Sequence, residues 1–144
     1  MVVAVVVAVA CGAALWWLRR TWVAVSVDGD SMEPTYRHGD RVLVRRCGPA
    51  GLALGAIVVV EQPAAGGDVP AHLVRLNIKR LAALPGDPVP ASVRPVVDVE
   101  VVPAGALVVL GDNPRGCDSR SLGFYRSDRV MGVVVRRVSA ASRG

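Results

Sequence analysis

His72-Leu-Val-Arg-Leu-Asn-Ile-Lys79-Arg80-Leu-Ala-Ala83, followed by Leu84-Pro85-Gly86-Asp87, is the stretch on which the fold turns. Its apolar residues come in short runs that end at a Pro-Gly pair, which predicts one or two strands closed by a turn. The same grammar recurs on both sides. Trp22 to Val27 alternates partly between apolar and polar residues, and Arg41 to Arg46 is a second strand opened by Gly39-Asp40. Cys47 to Gly55 is a loop, Ala56 to Glu61 is an apolar run suited to a buried strand, and Pro63 to Pro70 is a loop. Val93 to Val102 alternates again and predicts a strand with Asp98 and Glu100 on one face and Val97, Val99 and Val101 on the other. Leu107 to Leu110 and Val130 to Val138 complete the set, with a charge-rich loop over Gly111 to Gly123. Valine abundance and short strands between Gly/Pro turns predict a mainly β domain, either a small barrel or a coiled sheet.

The N-terminus follows another rule. Val2 to Leu18 holds no charge and no proline, and its seventeen residues span about 26 Å as a helix against a ~30 Å hydrocarbon core. Trp16, Trp17 and Trp22 beside Arg19 and Arg20 resemble an interfacial belt. The expected layout is therefore one transmembrane anchor over 1–21 and one domain over 22–144. A cleaved signal peptide is the main rival, though the basic n-region such a peptide starts with is absent. By the positive-inside rule, Arg19 and Arg20 put the C-terminal domain in the cytoplasm. A basic segment ahead of Met1 would remove that assignment.

The chain has 144 residues and a formal charge of +5, of which +3 remains without Arg19 and Arg20. No basic stripe interleaved with aromatics is present, so nucleic acid is not an expected partner, whereas a lipid bilayer is. Cys11, Cys47 and Cys117 match no zinc spacing, and no metal site or cofactor is expected. Cys47 and Cys117 could pair in an oxidising compartment. His38 and His72 sit in no triad context.

Two features carry chemistry. Lys79 is the one lysine against sixteen arginines. Arginine stays protonated near neutral pH, while a desolvated lysine can lose its proton. Strand alternation lets Lys79 face inward while Arg80 faces solvent or an acid. The second feature is Gly29-Asp30-Ser31-Met32-Glu33-Pro34-Thr35. Here glycine allows an unusual φ, proline holds the exit from the turn, and a serine is displayed beside backbone N–H groups. A titratable amine and an activated serine suffice for a peptidase that does not use histidine.

In chain order, Asp28 to Thr35, Lys79-Arg80 with Leu84 to Asp87, and Gly111-Asp112-Asn113 with Asp118-Ser119-Arg120 resemble the type I signal peptidases, membrane-bound Ser/Lys endopeptidases. The resemblance implies a β-rich catalytic domain on the extracytoplasmic side, in conflict with Arg19 and Arg20. It implies Ser31 as nucleophile and Lys79 as general base. The oxyanion turn would be Gly29, Asp30 and Ser31, with Met32, Pro34, Arg80, Asp112, Asp118, Ser119 and Arg120 as the scaffold around the site. It also implies precursor proteins bearing signal or leader peptides as substrates. Some relatives have a serine at the position of Gly29, and most have one in the loop that here reads Pro114-Arg115-Gly116-Cys117. The group that orients Lys79 is therefore open among Ser119, Asp112, a water and the Cys117 thiol. The short stretch between Lys79 and Gly111 makes this a minimal version. Two alternative readings are a tethered non-catalytic relative and a self-cleaving protease of the LexA type, although no helix-turn-helix is present for the latter.

Overall fold

The structure is a computed structural model that describes residues 2–63 and 75–140. Helix α1 spans Val2–Thr21 and is the one described helix long and apolar enough to cross a membrane; none of its apolar window is buried inside the protein. It passes directly into strand β1, Trp22–Ser26, where the β-branched alternation begins. Strands β2 (Arg41–Arg46), β3 (Ile57–Glu61), β4 (Leu76–Ala83) and β5 (Ala106–Leu110) follow. The short helix α2 (Ser119–Leu122) and strands β6 (Tyr125–Arg126) and β7 (Val130–Ser139) complete the chain.

The strands form one antiparallel sheet in the order β1-β2-β7-β3-β4-β5-β6, curled into an open half-barrel rather than closed. β3 lies near its middle and is covered on both faces. Val59 packs with Val27, Met32, Val42, Val44 and Ile78, while Val58 and Val60 pack with Leu81, Leu107, Val109 and Tyr125. An uninterrupted apolar run is what such two-sided burial requires. A third cluster of Ala83, Val89, Val93, Val102 and Val108 seals the far end.

Four strands expected from the sequence are found within a residue or so: 22–27, 41–46, 56–61 and 107–110. The final strand starts where expected and runs one residue further. The expected strand over Val93 to Val102 is not formed. The N–H groups of Val93 and Arg94 both donate to the Pro90 carbonyl, at 2.9 and 3.3 Å, and Val96 donates to Val93 at 2.9 Å. Pro95 has no N–H to give a ladder, so the segment folds into local turns. Val99 and Val101 are exposed together with Asp98 and Glu100, so the expected two-faced pattern is absent as well. The excursion closes where Val89 donates to Glu100 at 2.8 Å and Val102 to Asp87 at 2.9 Å. The expected loop over Gly111 to Gly123 contains α2, which is capped by Asp118. The loop over Pro63 to Pro70 and the start of the strand at His72 lie largely outside the described residues.

Candidate active site

Ser31 lies in the connection from β1 to β2. That loop is pinched at its base, where Val27 donates to the Asp40 carbonyl at 2.8 Å and Gly39 donates to the Val27 carbonyl at 2.9 Å. Gly29 has φ +82°, which L side chains rarely adopt. Beyond it the chain coils tightly, with Glu33 donating to Asp30 at 3.0 Å and Tyr36 to Met32 at 2.9 Å; the Glu33–Pro34 peptide is cis. Met32 is 1% exposed and anchors the turn in the first core cluster, which leaves its neighbour Ser31 half-buried.

The segment after β5 lies against this turn. The Asn113 N–H donates to the Ser31 carbonyl at 3.0 Å, and the Asn113 side-chain amide donates to the Asp30 carbonyl at 3.1 Å. Two glycines make the approach possible. A Cβ at Gly111 would stand 2.5 Å from the Ser31 carbonyl oxygen, and one at Gly116 would stand 2.9 Å from the Ser31 Cβ. Asp112 then joins three elements. It accepts from Arg80 Nε at 2.8 Å and from the terminal guanidinium nitrogen at 2.7 Å, and the Thr35 hydroxyl also donates to it. First the Arg80 hydrogen bond, then that of Thr35 and the Arg80 charge, hold the Asp112 carboxyl below the usual range against the effect of burial.

Asp118 is fully buried. It accepts from the Gly111 N–H at 2.7 Å, from the Arg120 N–H at 2.9 Å and from the Arg120 guanidinium. Burial is the largest single influence and pushes its pKa up, but the hydrogen bonds from Arg120 and Gly111 together outweigh it, so the carboxyl lies below its ordinary value. Arg120 also reaches the carbonyls of Gly111 and Asn113 at 3.4 and 3.2 Å. The buried Ser119 hydroxyl accepts from the Val109 N–H at 3.0 Å, which ties α2 to β5.

Lys79 stands on β4 beside Arg80. It is opposite Val58 in the ladder and shares a strand face with Leu81, and both neighbours are buried. Lys79 itself is 2% exposed. Among the described residues no hydrogen bond or ion pair holds its ammonium. Burial is the main influence and lowers its pKa. Arg120 lowers it further, while Asp118, Cys117 and Asp30 pull it back up.

Of the groups named for orienting Lys79, Asp112 is committed to Arg80 and Thr35, and Ser119 to Val109. Cys117 is within electrostatic reach of the amine, and its Sγ lies 3.4 Å from the Ser121 hydroxyl. Cys47 and Cys117 are both free, so the pairing left open by the sequence is not made. His38 lies at the surface, where its Nδ1 accepts from Gly29 at 3.2 Å beside Asp28; His72 is outside the described residues. No group of three or more His, Cys, Asp or Glu side chains that could hold a metal exists among the described residues.

Sequence reading missed Thr35, Asn113 and Gly116 as contact residues, although the first two stood in the quoted motifs. Thr35 meets its partner 77 positions away and Asn113 meets Asp30 83 positions away. No local pattern encodes such contacts.

No curated protein matches the chain. A family model described as signal peptidase, peptidase S26 matches residues 1–97. The match takes in α1, the serine turn and Lys79, and ends before the Gly111 to Arg120 segment. It covers about two thirds of the sequence, and the chain belongs to the signal peptidase, peptidase S26 family.

Proposed function

We propose that this protein is a membrane-anchored serine endopeptidase that cuts N-terminal signal or leader segments from exported precursors. In this reading residues 1–21 anchor residues 22–144, and the catalytic domain lies on the extracytoplasmic side as in the family. The observation that carries the proposal is the environment of the single lysine. Lys79 is buried, unpaired among the described residues, and adjacent to an arginine that is linked through Asp112 to the serine turn. An ammonium kept there for its charge would be expected to have a counter-ion; an amine kept there as a base needs to lose its proton.

The steps follow from that chemistry. The neutral Lys79 amine takes the Ser31 hydroxyl proton as Oγ attacks the scissile carbonyl carbon. Negative charge then develops on the carbonyl oxygen and is met by the Ser31 N–H in the turn formed by Gly29, Asp30 and Ser31. Gly29 brings no hydroxyl, so backbone alone serves this purpose. Lys79 returns the proton to the leaving amine, and a water repeats the sequence on the acyl-enzyme. Met32, Pro34, Arg80, Asp112, Asp118, Ser119 and Arg120 hold the geometry without touching substrate.

Cleavage of a precursor by the full chain in detergent tests this reading. Ser31→Ala and Lys79→Ala should each abolish cleavage, and Lys79→Arg should fail to restore it because arginine stays protonated. Full activity in either alanine variant would end the dyad reading. An inactive wild type across many precursors would favour a binding role.

A further inference from the structure

We infer that Arg19, Arg20, Arg45 and Arg46 form a collar that gathers anionic phospholipid headgroups where the chain leaves the bilayer. The inference rests on α1 crossing a membrane and is independent of the cleavage chemistry.

The register brings the four residues together. Trp22 is the first residue after α1, and its ladder partner is Arg45, on a neighbouring strand about 5 Å away. Arg46 is the next residue, level with the end of the helix, and Arg19 and Arg20 occupy the last turn of α1. Two pairs 25 or more positions apart thus meet at one level. All four are exposed. Arg20 lies over the Trp16 ring at 4.6 Å, and none of the four makes an ion pair among the described residues.

The surrounding charge is one-sided. α1, β1, β2 and β7 contain no acidic residue, and they carry Arg19, Arg20, Arg41, Arg45, Arg46, Arg136 and Arg137. Apart from these seven, the chain has ten basic side chains against twelve acidic ones. Without Arg19, Arg20, Arg45 and Arg46 the chain has thirteen basic side chains against twelve acidic ones, so most of its net positive charge sits where the helix ends. Four arginines elsewhere pair with acids, Arg80 with Asp112, Arg120 with Asp118, Arg126 with Asp128 and Arg129 with Glu61, and on β7 Arg137 pairs with Asp40; the collar arginines make no such pair among the described residues. A cationic ring at the headgroup level, flanked by Trp16 and Trp17, each 60% exposed, is complementary to an anionic bilayer surface. Binding through Arg45 and Arg46 as well as the helix would also fix how the β domain is turned about the anchor.

The test places the full chain in phosphatidylcholine nanodiscs with a trace of pyrene-labelled phosphatidylglycerol or pyrene-labelled phosphatidylcholine. Energy transfer from Trp16, Trp17 and Trp22 reads which lipid collects at the helix exit. Transfer to the glycerol lipid should exceed that to the choline lipid, with each arginine worth about a fivefold local enrichment. The preference should collapse in about 1 M salt, where the screening length falls to about 3 Å. Arg45→Gln/Arg46→Gln, with Arg19 and Arg20 intact, should lower the preference severalfold at unchanged transfer to phosphatidylcholine. Equal transfer to both lipids in the wild type, or a preference untouched in the double variant, would overturn the collar. No transfer to either lipid would overturn it together with the anchor, while precursor cleavage in detergent would still report on the chemistry separately.

Discussion

Arg80 grips Asp112 through two nitrogens, at 2.8 and 2.7 Å, and the far side of the same carboxylate takes the Thr35 hydroxyl. One acid thus joins the strand that carries Lys79 to the turn that carries Ser31. Asp112→Asn keeps the shape and loses the charge-assisted fork, so it should cost about 1–3 kcal/mol of stability. It should also lower kcat for precursor cleavage in protein that still folds. Asp128→Asn, at the exposed Arg126 pair, should leave both unchanged. Urea unfolding and cleavage kinetics on the two variants check this.

The glycines of the 111–117 segment should differ in how they tolerate a methyl group. At Gly111 the added carbon meets the Ser31 carbonyl oxygen at 2.5 Å, an atom already held by Asn113. At Gly116 it meets the Ser31 Cβ at 2.9 Å. Gly111→Ala should destabilise by about 1–3 kcal/mol, and Gly116→Ala by less but with a comparable loss of cleavage. Thermal unfolding and cleavage rates of the two variants decide; a fully active Gly116→Ala would show that the loop does not constrain the serine.

Lys79 should make stability rise with pH. Its folded pKa lies below the ordinary lysine value of 10.5 because of burial, so the charged form is disfavoured in the native state. Below the folded pKa both states carry the proton and the cost is fully present. As pH rises from the folded pKa toward the unfolded one, the unfolded chain binds more protons and the cost disappears. Lys79→Met should therefore be more stable than wild type at neutral pH, by a margin that closes toward pH 10. In the wild type the acid limb of kcat/KM should titrate below the ordinary lysine value. Denaturant unfolding at several pH values, with a cleavage pH profile, measures both; a margin independent of pH would contradict the assignment.

Asp118 also makes stability rise with pH, but in the acid range and as a group whose charged form stabilises the fold. Its folded pKa is lowered on balance, so its stabilisation is present above the unfolded carboxyl value and is lost as pH falls through the folded one. Asp118→Asn should cost about 3 kcal/mol, the low end for a broken buried pair because Arg120 keeps some access to water. Its unfolding free energy should also vary less than that of wild type in the acid range. Acid titration followed by circular dichroism distinguishes the two proteins.

Much of the architecture was legible locally. β-branched runs bounded by Gly39-Asp40, Pro85-Gly86 and Pro103-Ala104-Gly105 read as strands, because burial and pleat favour those side chains and turns need those residues. The segment from Val93 to Val102 misled because alternation cannot tell that Pro90 and Pro95 will divert its hydrogen bonds into turns. The helix at Ser119–Leu122 was hidden by its four-residue length.

What the amino-acid order determined by itself was one apolar helix, a set of short strands, a serine on a glycine turn and a single amine among arginines. Those properties depend on side-chain type and spacing along a few residues. What only the tertiary structure decided was which distant groups meet: Asp112 with Arg80 and Thr35, Asn113 with the carbonyls of Ser31 and Asp30, Arg45 with the end of the apolar helix. It also decided that Lys79 is buried and makes no hydrogen bond or ion pair among the described residues. Strand order and register settle these contacts, and they come from packing the whole sheet around β3 rather than from any one stretch of chain.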